Sequence, residues 1–187
     1  MSAQKNDQYS IEAEYGFNSA DGISGFSHAG GAFRYMINDF WGFKFDYGYD
    51  QFRTGSNPEI GTDSHRISVQ GVYNLGRKLK FGEFSDGYFN TLLHGGMGYT
   101  ALQSVQRGGT DNIGNVIVGI TPQVWISQSF AVTIDASYIF NFTQHYDFDG
   151  NYPNGSPAGN SFTGNMFTLS AGVTFYFGKN KNRVDFP

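Results

Sequence analysis

Hydrophobic and polar residues alternate with a period of two in segment after segment of this chain. Residues 41 to 52 read WGFKFDYGYDQF, with an aromatic residue at every second position from Trp41 to Tyr49. Glycines and charged residues occupy the positions between them. A period of two places the two sets on opposite faces of an extended strand. This segment is therefore predicted to be a β-strand with one aromatic face.

Eight segments carry this pattern, and together they cover most of the chain. In order they read YSIEAEYGF, SHAGGAFRYMI, WGFKFDYGYDQF, SHRISVQGVYNL, FNTLLHGGMGYTAL, NVIVGITPQVWI, SFAVTIDASYIF and MFTLSAGVTFYF. Each is about ten residues long, which is the length that a tilted strand needs to cross a bilayer. No helical period of comparable length competes with them. The pattern predicts an all-β fold of eight strands.

The connections between these segments alternate in character. Four are polar and rich in Gly, Asn, Asp and Ser, and these cover residues 18–25, 54–62, 103–112 and 143–164. The connections near Asn38 and Ser127 are very short. Short turns at one end and long polar loops at the other are typical of outer-membrane barrels. The connection 76–88 breaks this rule because it is long where a short turn is expected, and we interpret it as an extension of strands four and five.

Composition adds limits on the class of protein. The 187 residues suit one domain, and they include 26 Gly, 19 Phe and 12 Tyr but no Cys, which excludes disulfides and cysteine metal sites. No apolar run reaches the ~18 residues of a transmembrane helix. The mean hydropathy of −0.38 is polar, but a membrane barrel also has a polar average because its strands alternate. The net charge of −4 and the absence of a basic stripe argue against a nucleic-acid partner.

These observations predict an eight-stranded, antiparallel, up-and-down transmembrane β-barrel over residues 1–178. The strands should close because an open sheet would leave unpaired edges in lipid. The aromatic side is predicted to face lipid and the polar side the interior. A soluble barrel such as a lipocalin is the alternative, but an eight-stranded interior is too narrow for so many aromatic residues.

Particular positions follow from this assignment of faces. The residues predicted to face lipid include Phe43, Phe45, Tyr47, Val132, Ile134, Leu169 and Val173, with Phe45 and Val132 near mid-membrane. Tyr9, Trp41 and Phe130 near the short-turn ends, and Tyr15, Tyr49 and Tyr99 nearer the loop ends, are predicted to form the interfacial aromatic girdles.

The inward face carries charges of both signs. These residues are Glu12, Glu14, Arg34, Lys44, Asp46, Arg66 and Asp135, with His94 nearby. Isolated charges are costly to bury, so the sequence predicts a layered network of ion pairs that fills the interior. The alternative is a gated pore whose charges rearrange to pass small solutes, with low conductance because eight strands leave little space.

Serine catalysis and calcium binding have little support in the sequence. The four histidines lack the His-x-Ser spacing of barrel deacylases, and serine catalysis needs an activating histidine, so no enzymatic activity is predicted. The segment DFDGN at 147–151 is similar to the start of a calcium loop. It has Tyr152 where that loop has its sixth-position glycine, and Ala158 where it has its final glutamate. We therefore predict no metal or cofactor.

The whole pattern resembles a known family. The eight alternating strands, the asymmetric connections and the ending LSAGVTFYFG resemble the N-terminal barrel of OmpA-like outer-membrane proteins, most closely the versions from Bacteroidota. The last strand is similar to the assembly signal of such barrels through Gly172, Phe175 and Phe177. The segment GITPQVWISQSFAVTIDASYIFNF is similar to that family's sixth and seventh strands.

The resemblance implies a structural role in the bacterial outer membrane. An even number of strands places both termini on one side, which is then the periplasm. In that family a peptidoglycan-binding domain follows the barrel, and residues 179–187 are interpreted as the start of a linker to such a domain. The implied partners are outer-membrane lipid, peptidoglycan through this further region, and other outer-membrane proteins. A pore of low conductance and an adhesin acting through loop 143–164 stay open as alternatives.

Overall fold

A closed antiparallel barrel of eight strands forms the body of the molecule. The computed structural model describes residues 8–56, 58–153 and 161–178. The strands are β1 (Gln8–Ala20), β2 (Ile23–Met36), β3 (Trp41–Ser56), β4 (Glu59–Asn74), β5 (Phe89–Ser104), β6 (Thr110–Ser127), β7 (Phe130–Gln144) and β8 (Phe162–Phe177). Two short helices, α1 (Leu75–Lys78) and α2 (Phe81–Ser85), lie between β4 and β5. Each strand pairs with the next along the chain, and β8 pairs with β1, so the predicted fold class is confirmed.

The register of the strands fixes their tilt. Following paired residues once around the barrel from Tyr9 leads back to β1 at Ser19, ten residues further along the strand. Eight strands with this stagger tilt by about 40° from the barrel axis. Each residue then advances about 2.5 Å along the axis, so the stretch from Trp41 to Tyr49 spans about 20 Å. In the described residues, neither helix is long and apolar enough to cross a membrane.

The strands are longer than predicted, since they contain 13 to 18 residues. Two predicted polar loops, 18–25 and 54–62, are therefore mostly strand, and a third, 103–112, is strand at both of its ends, so the predicted loop bounds were wrong. Their polar residues continue the ladder, as in the pair Ser19 and Ser24. Asp21 and Gly22 make the first of these turns with φ values of 45° and 85°, the left-handed conformation that tight hairpins require.

Each end of the barrel has one connection that is longer than the others at that end. The loop end holds the β1–β2, β3–β4, β5–β6 and β7–β8 connections, and the strand bounds make the β7–β8 connection, residues 145–161, longer than the other three. At the turn end, which holds the other three connections, 37–40 and 128–129 are short as predicted. The interpretation of 76–88 as strand extension was wrong. β4 stops at Asn74, whose side chain accepts a 3.0 Å hydrogen bond from the Arg77 amide and caps α1.

The two faces of the wall are inverted relative to a water-soluble protein. Among the described residues, thirty buried side chains are polar or charged and fourteen are hydrophobic. The outward positions of the strands carry exposed aromatic and aliphatic residues. Glycines on the inner face leave space for long polar side chains, since a β-carbon at Gly48 would lie 2.6 Å from the Arg66 guanidinium.

Apolar residues inside the barrel gather at its two ends. The loop end contains a cluster of Ala20, Phe52, Ile117, Ile139, Phe148 and Met166. The turn end contains Met36, Val72 and Leu92, with Ala131 and Tyr176 packed against Trp125. The charged residues lie between these clusters, so the interior has a polar middle closed by apolar groups above and below.

Candidate functional site

The polar middle of the barrel is the candidate functional site. All seven charged residues that the sequence predicted for the interior lie on the inward face of their strands. Arg34, Lys44, Arg66 and Asp135 are buried, whereas Glu12, Glu14 and Asp46 are partly exposed. Their strands place them at several heights, and the polar contacts fall into three groups along the axis.

The group nearest the turn end is built around Arg34. Its Nε lies 3.2 Å from Glu12 Oε1 and donates a 3.1 Å hydrogen bond to Ser10 Oγ. Its Nη2 donates to the Tyr176 hydroxyl at 3.3 Å, and that hydroxyl donates to Gln123 Oε1 at 3.0 Å. The group links β1, β2, β6 and β8 across the interior and closes it above the apolar cluster.

The middle group joins His94 of β5 and Asp135 of β7, two strands that are separated by β6. His94 Nε2 lies 2.9 Å from Asp135 Oδ2, and its Nδ1 lies 2.6 Å from Gln70 Oε1. Thr121 Oγ1 also donates to Asp135 at 2.7 Å. Lys44 is buried beside this group, in the electrostatic field of four carboxylates. These carboxylates belong to Glu12, Glu14, Asp46 and Asp135.

The group nearest the loop end is centred on Asp50, which is fully buried. Asp50 Oδ1 lies 2.8 Å from His28 Nδ1 and accepts a 3.2 Å hydrogen bond from Asn18, while Oδ2 lies 3.5 Å from Arg66. His28 Nε2 lies 3.5 Å from Glu14. The sequence prediction missed His28 and Asp50 as interior residues. Strand parity marks both, because Asp50 is in phase with Lys44 on β3 and His28 is in phase with Arg34 on β2.

The polar middle contains charges of both signs. Its five carboxylates belong to Glu12, Glu14, Asp46, Asp50 and Asp135, and its three permanent cations belong to Arg34, Lys44 and Arg66. His28 and His94 each lie within 2.9 Å of one of the carboxylates. A network of this kind stiffens the interior, because moving any one member leaves another charge buried without its partner.

The loop end is closed by residues 145–153, which we call the mouth cap. Phe148 is 1% exposed and packs on Phe52, with 4.9 Å between ring centroids. Backbone carbonyls of the cap accept hydrogen bonds from the rim of the barrel. The Phe148 carbonyl accepts from Thr62 Oγ1 at 2.9 Å, and the Gly150 carbonyl accepts from Ser104 Oγ at 2.8 Å. The cap is therefore bound to strands β3, β4 and β5.

Asp111 of β6 holds the first residues of the cap. Its carboxylate accepts hydrogen bonds from the backbone amides of His145 and Tyr146 and lies 3.0 Å from His145 Nδ1. The Tyr146 ring stacks on Tyr152 at 4.7 Å, and the Tyr152 hydroxyl donates to the Tyr146 hydroxyl at 3.0 Å. The contact with Tyr152, together with burial, raises the pKa of Tyr146. At the neighbouring β1–β2 turn, burial and the charge of Asp147 raise the pKa of Asp21.

The carboxylates of the segment DFDGN are used within the cap. Asp147 Oδ1 accepts from the Phe148 amide at 2.7 Å, and Asp149 accepts from the backbone and side chain of Asn151, both at 2.8 Å. Within the residues that the structure describes, no group of three or more His, Asp or Glu side chains is arranged to hold a metal ion. Ala158 lies outside those residues.

The outer wall carries the predicted apolar residues. Phe43, Phe45, Tyr47, Val132, Ile134, Leu169 and Val173 all point outward, as do Phe175 and Phe177, whereas Gly172 faces inward. Val132 is the third residue of β7, so it lies near the turn end and not at mid-height as predicted. Phe45 is midway between Trp41 and Tyr49. A hollow of about 730 Å³ on this wall is lined by side chains such as Ile11, Phe33 and Met97.

Rings of aromatic residues border the apolar wall at both ends. At the loop end, the hydroxyls of Tyr47, Tyr49 and Tyr99 contact His65, Asp63 and Asn112 respectively. At the turn end, Trp41 packs on Tyr73 at 4.7 Å and Tyr9 packs on Tyr35 at 4.9 Å. Apolar rings with their polar atoms directed away from the band are what membrane interfaces favour.

Comparison with known proteins bears on the fold. No protein-family model and no curated protein matches the chain. Among solved structures, the N-terminal barrel of OprF from Pseudomonas aeruginosa is similar over 93% of this chain and 100% of its own, with a TM-score of 0.56 and 14% identity. Neisserial surface protein A is similar over 92% of this chain and 97% of its own, with a TM-score of 0.55 and 17% identity. A major outer-membrane protein of Thermus thermophilus is similar over 91% of this chain and 99% of its own, with a TM-score of 0.56 and 12% identity.

These likenesses cover almost the whole of each chain, and at identities below a fifth they concern the fold alone. The shared feature is the eight-stranded barrel itself. The names of the Neisseria and Thermus proteins place those two at the bacterial surface and in the outer membrane. The features of this chain that bear on its function are its apolar outer wall, its charged interior and its capped mouth.

Proposed function

We propose that this chain is a structural barrel of the bacterial outer membrane. The observation that carries the proposal is the inverted barrel, with an apolar wall between two aromatic borders and a polar interior. An apolar exterior of this extent is unstable in water and fits a bilayer. The similar barrels from three bacteria support the same location. The first residue of β1 and the last residue of β8 lie at the turn end, and we propose that this end faces the periplasm because the longer loop end suits the cell surface.

We further propose that the barrel anchors a periplasmic region that binds peptidoglycan and so supports the integrity of the envelope. This step is supported by the resemblance to OmpA-like proteins, in which such a region follows the barrel. Residues 179–187, the interpreted linker, lie outside the described residues. The same resemblance supports a Bacteroidota origin and a place in a larger outer-membrane complex.

Binding to peptidoglycan tests whether the protein is such an anchor. We expect the full-length protein from its source cells to co-sediment with purified peptidoglycan sacculi and to stay bound after detergent washing. The matched control is a chain ending at Gly178, which should remain in the detergent supernatant because it keeps only the barrel. Release of both proteins would contradict the tether and leave the barrel acting alone or with membrane partners.

Two other functions have less support. A pore is favoured only by the charged interior, which apolar clusters close at both ends. An adhesin acting through loop 143–164 would present that loop's aromatic residues outward. Instead, Tyr146 and Phe148 are buried in the mouth cap, and residues 154–160 lie outside the described residues. We propose no enzymatic role.

A further inference from the structure

The connection 75–88, which we call the rim segment, is ordered by its own hydrogen bonds. The Leu79 amide donates to the Leu75 carbonyl at 2.9 Å, and the Gly87 amide donates to the Gly82 carbonyl at 3.0 Å. The Ser85 hydroxyl accepts from the Phe89 amide at 3.2 Å. These bonds define two compact turns of helix at the turn end of the barrel, so the backbone of the segment has a defined path.

This ordered segment presents apolar side chains to its surroundings. Phe84 is 87% exposed, the highest value for a large hydrophobic residue in the part of the chain that the structure describes. Leu79 is 50% exposed and Tyr88 is 61% exposed. On the neighbouring β6 strand, Ile126 is 65% exposed. Exposing large apolar side chains such as these to water is unfavourable, so this end of the barrel favours an apolar environment.

The rim segment is continuous with the aromatic border of the wall. Phe81 packs on Phe89, the first residue of β5, with 5.7 Å between ring centroids. The Tyr88 carbonyl accepts a 2.8 Å hydrogen bond from the Trp125 amide of β6. A groove of about 300 Å³ lies at this junction, lined by Asp86, Tyr88, Trp125, Ile126, Ser127 and Gln128. The exposed apolar surface therefore continues the wall at the end that also holds Trp41 and Tyr73.

Charged side chains flank the apolar ones along the segment. Lys78 and Lys80 are exposed, and the Lys80 ammonium lies 3.0 Å from the Glu83 carboxylate. Arg77 pairs with Asp39 of the adjacent turn at 2.8 Å. Apolar side chains next to basic groups on a short amphipathic element are typical of segments that lie in the headgroup region of a bilayer, where lysine side chains reach toward phosphates.

We infer that the rim segment docks on the phospholipid leaflet at its own end of the barrel, with Phe84 and Leu79 at the boundary between headgroups and acyl chains. The inference rests on the proposed membrane location of the barrel. It accounts for the one long connection at the turn end, which the barrel itself does not need in order to close. The segment acts as an interfacial anchor that fixes the height and orientation of the barrel in the membrane.

The absence of native cysteine allows a direct test of depth. Phe84→Cys, Glu83→Cys and Phe45→Cys are each refolded into vesicles of phosphatidylethanolamine and phosphatidylglycerol and labelled with a nitroxide. Power saturation compares collisions with oxygen, which enriches in lipid, and with a water-soluble nickel chelate. We expect the oxygen-to-nickel ratio at position 84 to lie below that at the mid-membrane position 45, because position 84 is at the boundary of the acyl chains, and well above that at the adjacent position 83. Leu79→Cys provides a second reporter, and circular dichroism checks the fold of each variant.

The outcomes separate this inference from the function on which it rests. A lipid environment at position 45 with a water-like environment at positions 84 and 79 would overturn the docking alone. That result would assign the apolar rim to a protein, which pure lipid vesicles do not supply. A water-like environment at position 45 would overturn the membrane location and the docking together. Lipid environments at positions 45, 79 and 84 support the inference.

Discussion

At the scale of single residues, the outer wall gives a specific prediction. Phe45 is midway along the apolar stretch of β3 and 49% exposed, whereas Val132 is near the turn end of β7 and 44% exposed. If lipid surrounds the wall, Phe45→Arg should lower the free energy of unfolding from vesicles by about 2–4 kcal/mol, and Val132→Arg by about 0–1 kcal/mol, because the cost of a charge falls toward the interface. Urea titration of both variants measures the difference. Equal effects at the two positions would contradict a bilayer centred on Phe45.

The β1–β2 turn offers a second test at this scale. Burial and the nearby charge of Asp147 raise the pKa of Asp21, so the folded protein disfavours its ionised form. Stability then falls as the pH rises through the ordinary carboxyl range near 4. Asp21→Asn keeps a residue that tolerates the left-handed φ of 45° and removes the charge. It should raise stability at about pH 7 by less than ~1 kcal/mol and leave it unchanged at about pH 3.

Denaturation at the two pH values measures this gain. Asp86→Asn is the matched control, since Asp86 also has a positive φ of 50° but lies in the rim segment at the opposite end of the barrel. The control should show no comparable gain at neutral pH. A gain for Asp21→Asn that persists at low pH would assign the effect to the turn conformation and not to the charge.

At the scale of elements, the alternation of residue types located all eight strands but not their ends. The period of two is visible only where one face of the strand is apolar. On β3 that apolar face ends at the aromatic border near Tyr49. Beyond it, Gln51 and Asp63 pair on neighbouring strands with polar residues on both faces, and this pattern is the same as that of a loop. Register beyond the membrane depends on pairing between strands, which a single strand's sequence does not contain.

The mouth cap shows a different limit of the sequence. Phe148 is surrounded by turn-forming residues, and nothing local distinguishes it from an exposed loop aromatic. Its burial depends on Phe52, almost a hundred residues earlier, and on the rim hydroxyls of Thr62 and Ser104. The interior charges were predictable because parity alone places them inside the barrel. Their pairing, such as His94 of β5 with Asp135 of β7, requires the closed barrel.

At the scale of the whole molecule, the closed ends decide whether solutes can cross. The polar middle is separated from both sides, by Phe52 and Phe148 at the loop end and by Met36, Val72 and Leu92 at the turn end. Because two apolar clusters block the path, opening one of them should not let ions cross. Wild type should show a flat current in planar bilayers, and so should Phe148→Ser, because the turn-end cluster still closes the path.

A variant that combines Phe148→Ser with Met36→Ser and Leu92→Ser should give a small conductance, since water can then enter the charged middle from both ends. Single-channel recording of the three proteins measures this, after each is checked for the folded barrel by circular dichroism. Neutralising Arg66 in the combined variant should change the ion preference, because its guanidinium lines the opened path beside Asp50. Steady conductance from the wild type would mean that the capped interior opens unaided, and the pore would then replace the structural role as the better account of this barrel.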